Sequence, residues 1–366
     1  MKERKMLEQD TKGIYPFDFS VLVITYNHEP YLKDALESVL QQEFPYRLQI
    51  VIGLDKSPDN TAAVCHQYAQ SYPDKIKLIE HADNVGMFEN FFRTFQYCEG
   101  KYIAILEGDD YWTNKQKLLK QFHYFEKQPN CVLNAGFAQM LNEDKGKITQ
   151  PRRPFFISGI KYQKDDIILA NRFPTLTVAL RASSIIWEKF ALVKGTPHLD
   201  WPLYLSLHYR ENDFAYKFNE VFGTYRIHEG GVYSQVSNQK RSANTGKTIS
   251  YIHKITTESS FQWYLERLLV NLVLNLDEKV TQDIPMFNKE LSIYENGHLK
   301  KSFLSQASNL GKKYLFGKGN NLFQFKSIIS LVHQTKPSYR VYLQFIQYPY
   351  ITLAVCKYWL VKLTSS

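Results

Sequence analysis

The chain has 366 residues, 44% of them hydrophobic and 22% charged, with no low-complexity segment; that is the composition of an ordinary globular protein with room for one large domain and an appendage. Its four cysteines, Cys65, Cys98, Cys131 and Cys356, lie far apart and form no zinc spacing, which fits a reducing compartment. The formal net charge of +9 belongs to the last third. Up to Val236 there are 28 Lys and Arg against 29 Asp and Glu, and from Ser237 on 17 against 7, so the first two thirds lack the basic footprint of a nucleic-acid binder.

The N-terminal residues 1–18 read as a charged, loose arm with no signal peptide. Residues 20–25 (SVLVIT) are a short β-branched run that predicts a buried strand. Residues 30–42 follow as a helix, with Leu32, Ala35, Leu36, Val39 and Leu40 on one face and Pro30 in the first turn. The next strand is 48–54 (LQIVIGL); Ser57-Pro58-Asp59 then reads as an N-cap with proline at the first helical position, opening a helix to about Ser71. Residues 76–80 and 88–98 repeat the unit, with Phe91, Phe92 and Phe95 as the helix's core stripe. A fourth strand covers 101–106 and a fourth helix 114–128. Strands buried on both faces and alternating with helices predict an α/β protein with a Rossmann-like, mostly parallel sheet and right-handed crossovers.

In such a sheet the strand-to-helix loops share one edge, and ligands bind there. The loops are 25–29 (TYNHE), 55–57 (DKS), 81–86 (HADNVG) and 107–111 (EGDDY). None is GxGxxG or GxxxxGK[ST], so no glycine cradle meets a pyrophosphate, and its charge must be balanced by a metal and basic side chains. Glu107-Gly108-Asp109-Asp110 is the most informative of the four. Like carboxylates a few ångströms apart raise one another's pKa, and a hard divalent ion makes them tolerable together. The turn therefore predicts Mn2+ or Mg2+ and a phosphate-bearing substrate; the competing reading is that Asp109 or Asp110 only caps the helix that follows.

Six blocks in this order, 21–27 (VLVITYN), 55–61 (DKSPDNT), 84–86 (NVG), 107–112 (EGDDYW), 198–201 (HLDW) and 225–234 (YRIHEGGVYS), resemble the successive motifs of family 2 inverting glycosyltransferases with the GT-A fold, of the bacterial surface polysaccharide type. The resemblance covers 19–236. It departs from the family at Leu54-Asp55, where many relatives carry two aspartates, and at Glu107, which stands as the first acid of the aspartate-x-aspartate motif. It implies a GT-A catalytic domain over 19–236 that takes a nucleoside diphosphate sugar, UDP-linked, as donor.

The resemblance also implies residue roles. Asp55 would contact the uracil, although an Asx turn into the next helix explains it equally on geometry alone. Thr25 and Tyr26 would offer backbone and ring to the base, with Asn27 beside them or only shaping the turn. Asn84 would line the donor site, as could Asn90 and Arg93 from the third helix. Asp109 would hold the metal and Glu107 the ribose hydroxyls or a metal-bound water, while Asp110 would either hold the donor sugar or cap the next helix. Asp200 would be the general base that inversion requires, against a reading as a helix N-cap; Asp165 and Asp166 read as solvated. Arg226 and His228 would meet the leaving diphosphate, with His228 also a candidate metal ligand. Gly230 and Gly231 could hinge a closing loop.

Residues 237–248 read as a polar linker and 249–366 as a basic helical appendage, with an amphipathic helix at 259–278. The segment 341–363 is rich in Tyr, Trp, Leu and Ile but is interrupted by Pro349 and Lys357, which argues against a transmembrane helix. Such a tail can lie on the anionic cytoplasmic face of a membrane or pack as an ordinary appendage. The expected partners are a nucleotide-sugar donor and a glycan or lipid-linked glycan acceptor, with no nucleic acid. The alternatives are a polyprenyl-phosphate sugar transferase and a nucleic-acid-binding protein that uses the basic tail.

Overall fold

The structure is a computed structural model, and it describes residues 15–153, 158–169, 171–231, 238–256, 294–295 and 298–299. The first part of the chain alternates strand and helix: β1 (Phe17–Thr25), α1 (Leu32–Leu40), β2 (Leu48–Leu54), α2 (Thr61–Ser71), β3 (Ile76–Glu80), α3 (Gly86–Phe95) and β4 (Gly100–Glu107). β1 pairs in parallel with both β2 and β4, and β2 in parallel with β3. Successive residues Val21, Leu22 and Val23 are all fully buried. Both pleat faces are therefore covered by helices, as a continuous apolar run requires.

The remainder adds β5 (Tyr111–Trp112), α4 (Lys117–Lys127), β6 (Cys131–Asn142), β7 (Lys147–Thr149), β8 (Gly159–Tyr162), α5 (Lys164–Leu169), β9 (Ala179–Arg181), α6 (Trp187–Ala191), α7 (Asp200–Leu205) and β10 (Phe214–Ile227). The sheet runs β3-β2-β1-β4-β9-β6-β10-β5. β9 is antiparallel to both β4 and β6, whereas β6 and β10 are parallel. The short reversed strand thus stitches the parallel half-sheet to a second half that carries the later motifs.

Helix packing follows the apolar pattern. Leu32, Ala35, Leu36 and Val39 of α1 are fully buried on one face, the i, i+3, i+4, i+7 stripe of an amphipathic helix. α3 sits so close to β2 that a Cβ on Gly53 would lie 2.4 Å from both Asn90 Oδ1 and Thr94 Oγ1. Asn90 donates to the Gly53 carbonyl (3.0 Å) and Arg93 pairs with Glu89 (3.0 Å), so both are packing and surface residues of α3. Of the predicted stripe, Phe91 and Phe95 are buried, while Phe92 is half-buried against Trp187 (5.5 Å). α2 starts later than predicted, at Thr61, with Asn60 rather than Ser57 at the cap position; Asp59 accepts both the backbone N–H and the hydroxyl of Thr61 (3.1 and 2.6 Å) from the residue before it.

The chain divides into two units, Met1–Val236 and Ser237–Ser366. In the second, the stretch predicted as a linker is helical: α8 spans Asn238–Ile255. Its buried Thr248, Ile249, Ile252 and Ile255 recur at helical spacing, and that apolar face outweighs the polar run before it. No described helix is long and apolar enough to cross a membrane. The predicted elements at 259–278 and 341–363 lie outside the described residues.

Candidate active site

The β1–α1 and β2–α2 loops are tied together at the carboxyl edge of the sheet. Asn27 adopts φ +56°, the left-handed region that asparagine tolerates better than most residues. Its N–H donates to Ser57 Oγ (3.0 Å), and the next N–H, of His28, donates to Thr61 Oγ1 (2.8 Å). Asn27 therefore shapes the turn. Thr25 is buried and its carbonyl accepts from the Asp55 N–H (3.0 Å), whereas the Tyr26 ring is 42% exposed at the mouth of the loop.

Asp55 is buried, and its carboxylate accepts three backbone N–H groups: Lys56 (3.0 Å) and Val85 (2.8 Å) on Oδ1, and Gly86 (2.9 Å) on Oδ2. Gly86 has φ +81°, a conformation that suits glycine, and Asn84 Oδ1 accepts a second bond from the same N–H (3.1 Å). Both Asp55 oxygens are thus engaged in clamping the β3–α3 loop. Three of the carboxylate's roughly four accepting positions are filled in this way, which leaves one for the contact with the base that the resemblance implies.

The acidic turn follows β4. A Cβ on Gly108 would lie 2.7 Å from Thr25 Oγ1 and 2.9 Å from His28 Nδ1, so only glycine lets the turn lie this close to the end of β1. Oδ2 of Asp109 faces two imidazoles: Nε2 of His228 at 3.2 Å and Nε2 of His28 at 3.6 Å. Tyr31 packs its ring 4.3 Å from that of His228. Asp110 is buried, and its Oδ1 accepts the backbone N–H of Arg226 (2.8 Å). It caps nothing, since α4 begins only at Lys117 with Gln116 as its cap residue, and its bond fastens β10 to the acidic turn.

The electrostatics of the cluster are split. Burial first, then the charges of Asp109 and Asp200, push Glu107 up to about 8. Burial and the charges of Asp109 and Glu107 hold Asp110 well above the carboxylate range. For Asp109 burial acts upward, but the His228 hydrogen bond and the His28 charge outweigh it and hold the carboxyl below its ordinary value. Oε2 of Glu107 is buried without a hydrogen-bond partner. The imidazoles beside Asp109 do not offset three clustered acids, and a divalent cation fits the remainder. Among the described residues no three ligating side chains are already gathered as a closed metal set. Asp109 and His228 are the ligating pair at hand, an oxygen and nitrogen set that suits Mn2+ better than the oxygen-seeking Mg2+.

The Arg226 side chain sits apart from the acidic cluster. Its guanidinium is 7% exposed and paired with Asp34 (2.5 Å) and Glu143 (3.3 Å), between the rings of Tyr31 (5.1 Å) and Tyr111 (4.7 Å). With Asp34, Glu37, Trp112 and Glu143 it lines a cavity of about 560 Å³ whose lining includes none of Glu107, Asp109 and Asp200. Two carboxylates already pair with it, so meeting the leaving diphosphate, as the resemblance implies, would require exchanging those partners.

Asp200 opens α7 as its first helical residue, and the cap position falls on Leu199, so the N-cap reading does not hold. Oδ1 accepts the Trp201 N–H (2.8 Å); Oδ2 accepts Asn171 Nδ2 (2.5 Å) and Thr175 Oγ1 (3.3 Å). Trp201 in turn donates its indole N–H to the Ile167 carbonyl (2.7 Å), locking α7 to α5. Asp166 accepts the Gln163 N–H at the start of α5 (2.9 Å) and takes no part. Asn171, Thr175 and His28 are site residues that the sequence reading passed over. Only His28, inside the TYNHE loop, carried a local signal. Residues 232–237, which follow Gly230 and Gly231, lie outside the described residues.

The fold and the clustered motifs define a GT-A glycosyltransferase scaffold. Residues 20–184 match the model of the family described as glycosyl transferase family 2. The chain is 26% identical over 229 residues to an uncharacterized protein of Mycobacterium tuberculosis, covering 61% of this chain and 62% of that protein's length. It is 25% identical over 224 residues to the putative teichuronic acid biosynthesis glycosyltransferase TuaG of Bacillus subtilis, covering 61% of this chain and 83% of TuaG. Among solved structures, S. aureus TarS residues 1–349 in complex with UDP superposes with a TM-score of 0.51 at 16% identity, over 80% of this chain and 79% of that one. That likeness is one of fold.

Proposed function

We propose that the protein is a metal-dependent inverting glycosyltransferase. It moves a hexosyl or N-acetylhexosaminyl group from a UDP-sugar to a hydroxyl of a glycan or lipid-linked glycan in surface polysaccharide synthesis. The observation that carries this reading is the short path that ties Asp200 to the acidic turn within a family 2 domain: Thr175 donates to Asp200 (3.3 Å), and the carbonyl of the next residue, Leu176, accepts the indole N–H of Trp112 (2.6 Å), two residues beyond Asp110. The complex of TarS with UDP and the naming of TuaG for teichuronic acid support the donor and the class of product.

In this reading Asp109 and His228 hold the divalent ion, which supplies positive charge against the leaving diphosphate. Tyr26 offers its exposed ring to the base, and Asp55, Asn27 and Asn84 keep the surrounding loops in shape. Glu107 faces the ribose side of the donor. Asp110 and the backbone of Arg226 fix the end of β10, and with it His228. Asp200 takes the proton of the acceptor hydroxyl as that oxygen bonds to the anomeric carbon, and the bond to the nucleoside diphosphate breaks on the opposite face. The basic excess after residue 236 supports placement on the anionic cytoplasmic face of a membrane.

The test is UDP or GDP release from a panel of nucleotide sugars, with Mn2+ and with EDTA. Turnover of a UDP-sugar that requires the ion is expected; no turnover of any donor with Mn2+ present would overturn the reading.

A further inference from the structure

A carboxylate has about four positions for accepting hydrogen bonds, and on Asp200 three are filled. Trp201 occupies one on Oδ1, while Asn171 and Thr175 both donate to Oδ2. Among the described residues no further donor reaches Oδ1. We propose that Asn171 and Thr175 are positioning residues for the transfer step: they immobilise Oδ2 of Asp200 and leave the open side of Oδ1 as the atom that receives the acceptor's proton. This rests on the assignment of Asp200 as the base.

Three observations support it. Both donors are neutral, an amide and a hydroxyl, so they orient the carboxylate without competing as acids for the proton it must take. Both come from one short segment that is itself pinned. The Phe173 N–H donates to Asn171 Oδ1 (3.3 Å), and the buried Phe173 ring packs on Tyr162 and Tyr204 (5.4 and 5.8 Å). Lys217 Nζ holds the Arg172 carbonyl (2.8 Å).

The same segment also reaches the donor side. Trp112, two residues beyond Asp110, donates its indole N–H to the Leu176 carbonyl (2.6 Å). One stretch of chain therefore sets the base relative to the acidic turn, the relationship on which in-line displacement depends. A purely structural aspartate at the head of α7 would need only the Trp201 N–H. The exposed amide of Asn171 adds little to stability, because water would serve its partner equally well.

The experiment measures UDP release from the UDP-sugar of the panel that turns over fastest, in the full chain, for Asn171→Ala, Thr175→Val and Thr175→Ser, each also combined with Asp200→Asn. Calorimetry with UDP and thermal melts run in parallel. Asn171→Ala and Thr175→Val should each lower kcat about tenfold to a hundredfold, the scale of a misplaced catalytic group, with donor KM and UDP affinity within about twofold. Thr175→Ser should restore most of the rate. In the Asp200→Asn background neither substitution should cost anything further, because a base that is gone cannot be misplaced. Losses that persist in that background, a parallel loss of UDP affinity, or an unchanged kcat overturn the proposal. Asn171 is exposed, so its variant stays informative if Thr175→Val melts early. A wild-type rate in the Asp200→Asn single variant removes the base assignment itself, and the proposal with it, and that result is read separately from the other two residues.

Discussion

Nε2 of His228 stands 3.2 Å from Oδ2 of Asp109, joining the end of β10 to the acidic turn across 119 residues of sequence. His28 approaches the same oxygen at 3.6 Å, and its other ring nitrogen lies 3.4 Å from Thr25 Oγ1, so it stands as an outer partner that orients the ligating Asp109. UDP binding should therefore require Mn2+ and vanish in excess EDTA. Asp109→Ala should abolish the metal-dependent part, and His228→Ala should weaken it about tenfold to a hundredfold. Calorimetry decides the matter: UDP affinity undiminished by EDTA removes the ion from the site.

Asp200→Asn preserves the shape of the side chain and its place at the head of α7 while removing the basic oxygen pair. Transfer should fall by about 10²- to 10⁴-fold, the usual contribution of a positioned general base. UDP affinity should stay within about twofold, since no role in donor binding is assigned to Asp200. Near-normal turnover in this variant would place the base elsewhere.

The alternation of apolar runs made the half-sheet from β1 to β4 legible from sequence, because strands buried on both faces leave an unbroken signal in SVLVIT and LQIVIGL. The acidic turn and Asp200 were legible through their local motifs. Contacts made across the fold were not. Nothing in the sequence around Arg226 tells that Asp34 and Glu143 would claim its guanidinium. Nor does the DKSPDNT block reveal that Val85 and Gly86, thirty residues on, would occupy the carboxylate of Asp55. Asn171 sits in a stretch with no readable pattern, and its closeness to Asp200 follows only from the locking of α7 onto α5.

The clamp by Asp55 predicts an outcome different from a direct contact with the base. Asp55→Ala strands the N–H of Val85, leaves the Gly86 N–H with Asn84 alone, and loosens the β3–α3 loop. Hydrogen bonds to a charged acceptor are worth about 1.5–3 kcal/mol each, less where water can replace them, so a loss of about 2–4 kcal/mol of stability is expected. UDP and inorganic diphosphate should weaken by similar factors, because the whole loop relaxes. A loss confined to UDP would restore Asp55 to the uracil.

Lys217 holds the segment that carries Asn171 and Thr175, and it does so from a buried position. Burial first, then the charge of Arg172, pull its amine from the ordinary 10.5 down to about 8. Between those values the unfolded chain keeps the proton while the folded chain has released it, so this group makes stability rise with pH across that window. Below about 8 the amine is charged in both states, and the cost of burying it is constant. Relative to Lys217→Met, the wild-type protein should therefore gain about 1–3 kcal/mol in urea unfolding between pH 8 and pH 10.5, with a flat difference at lower pH. The contact with the Arg172 carbonyl needs only an N–H, which the neutral amine retains, so the segment should stay in place throughout. A difference that stays flat up to pH 10 would mean that the ammonium keeps its charge and that water reaches it from the cleft.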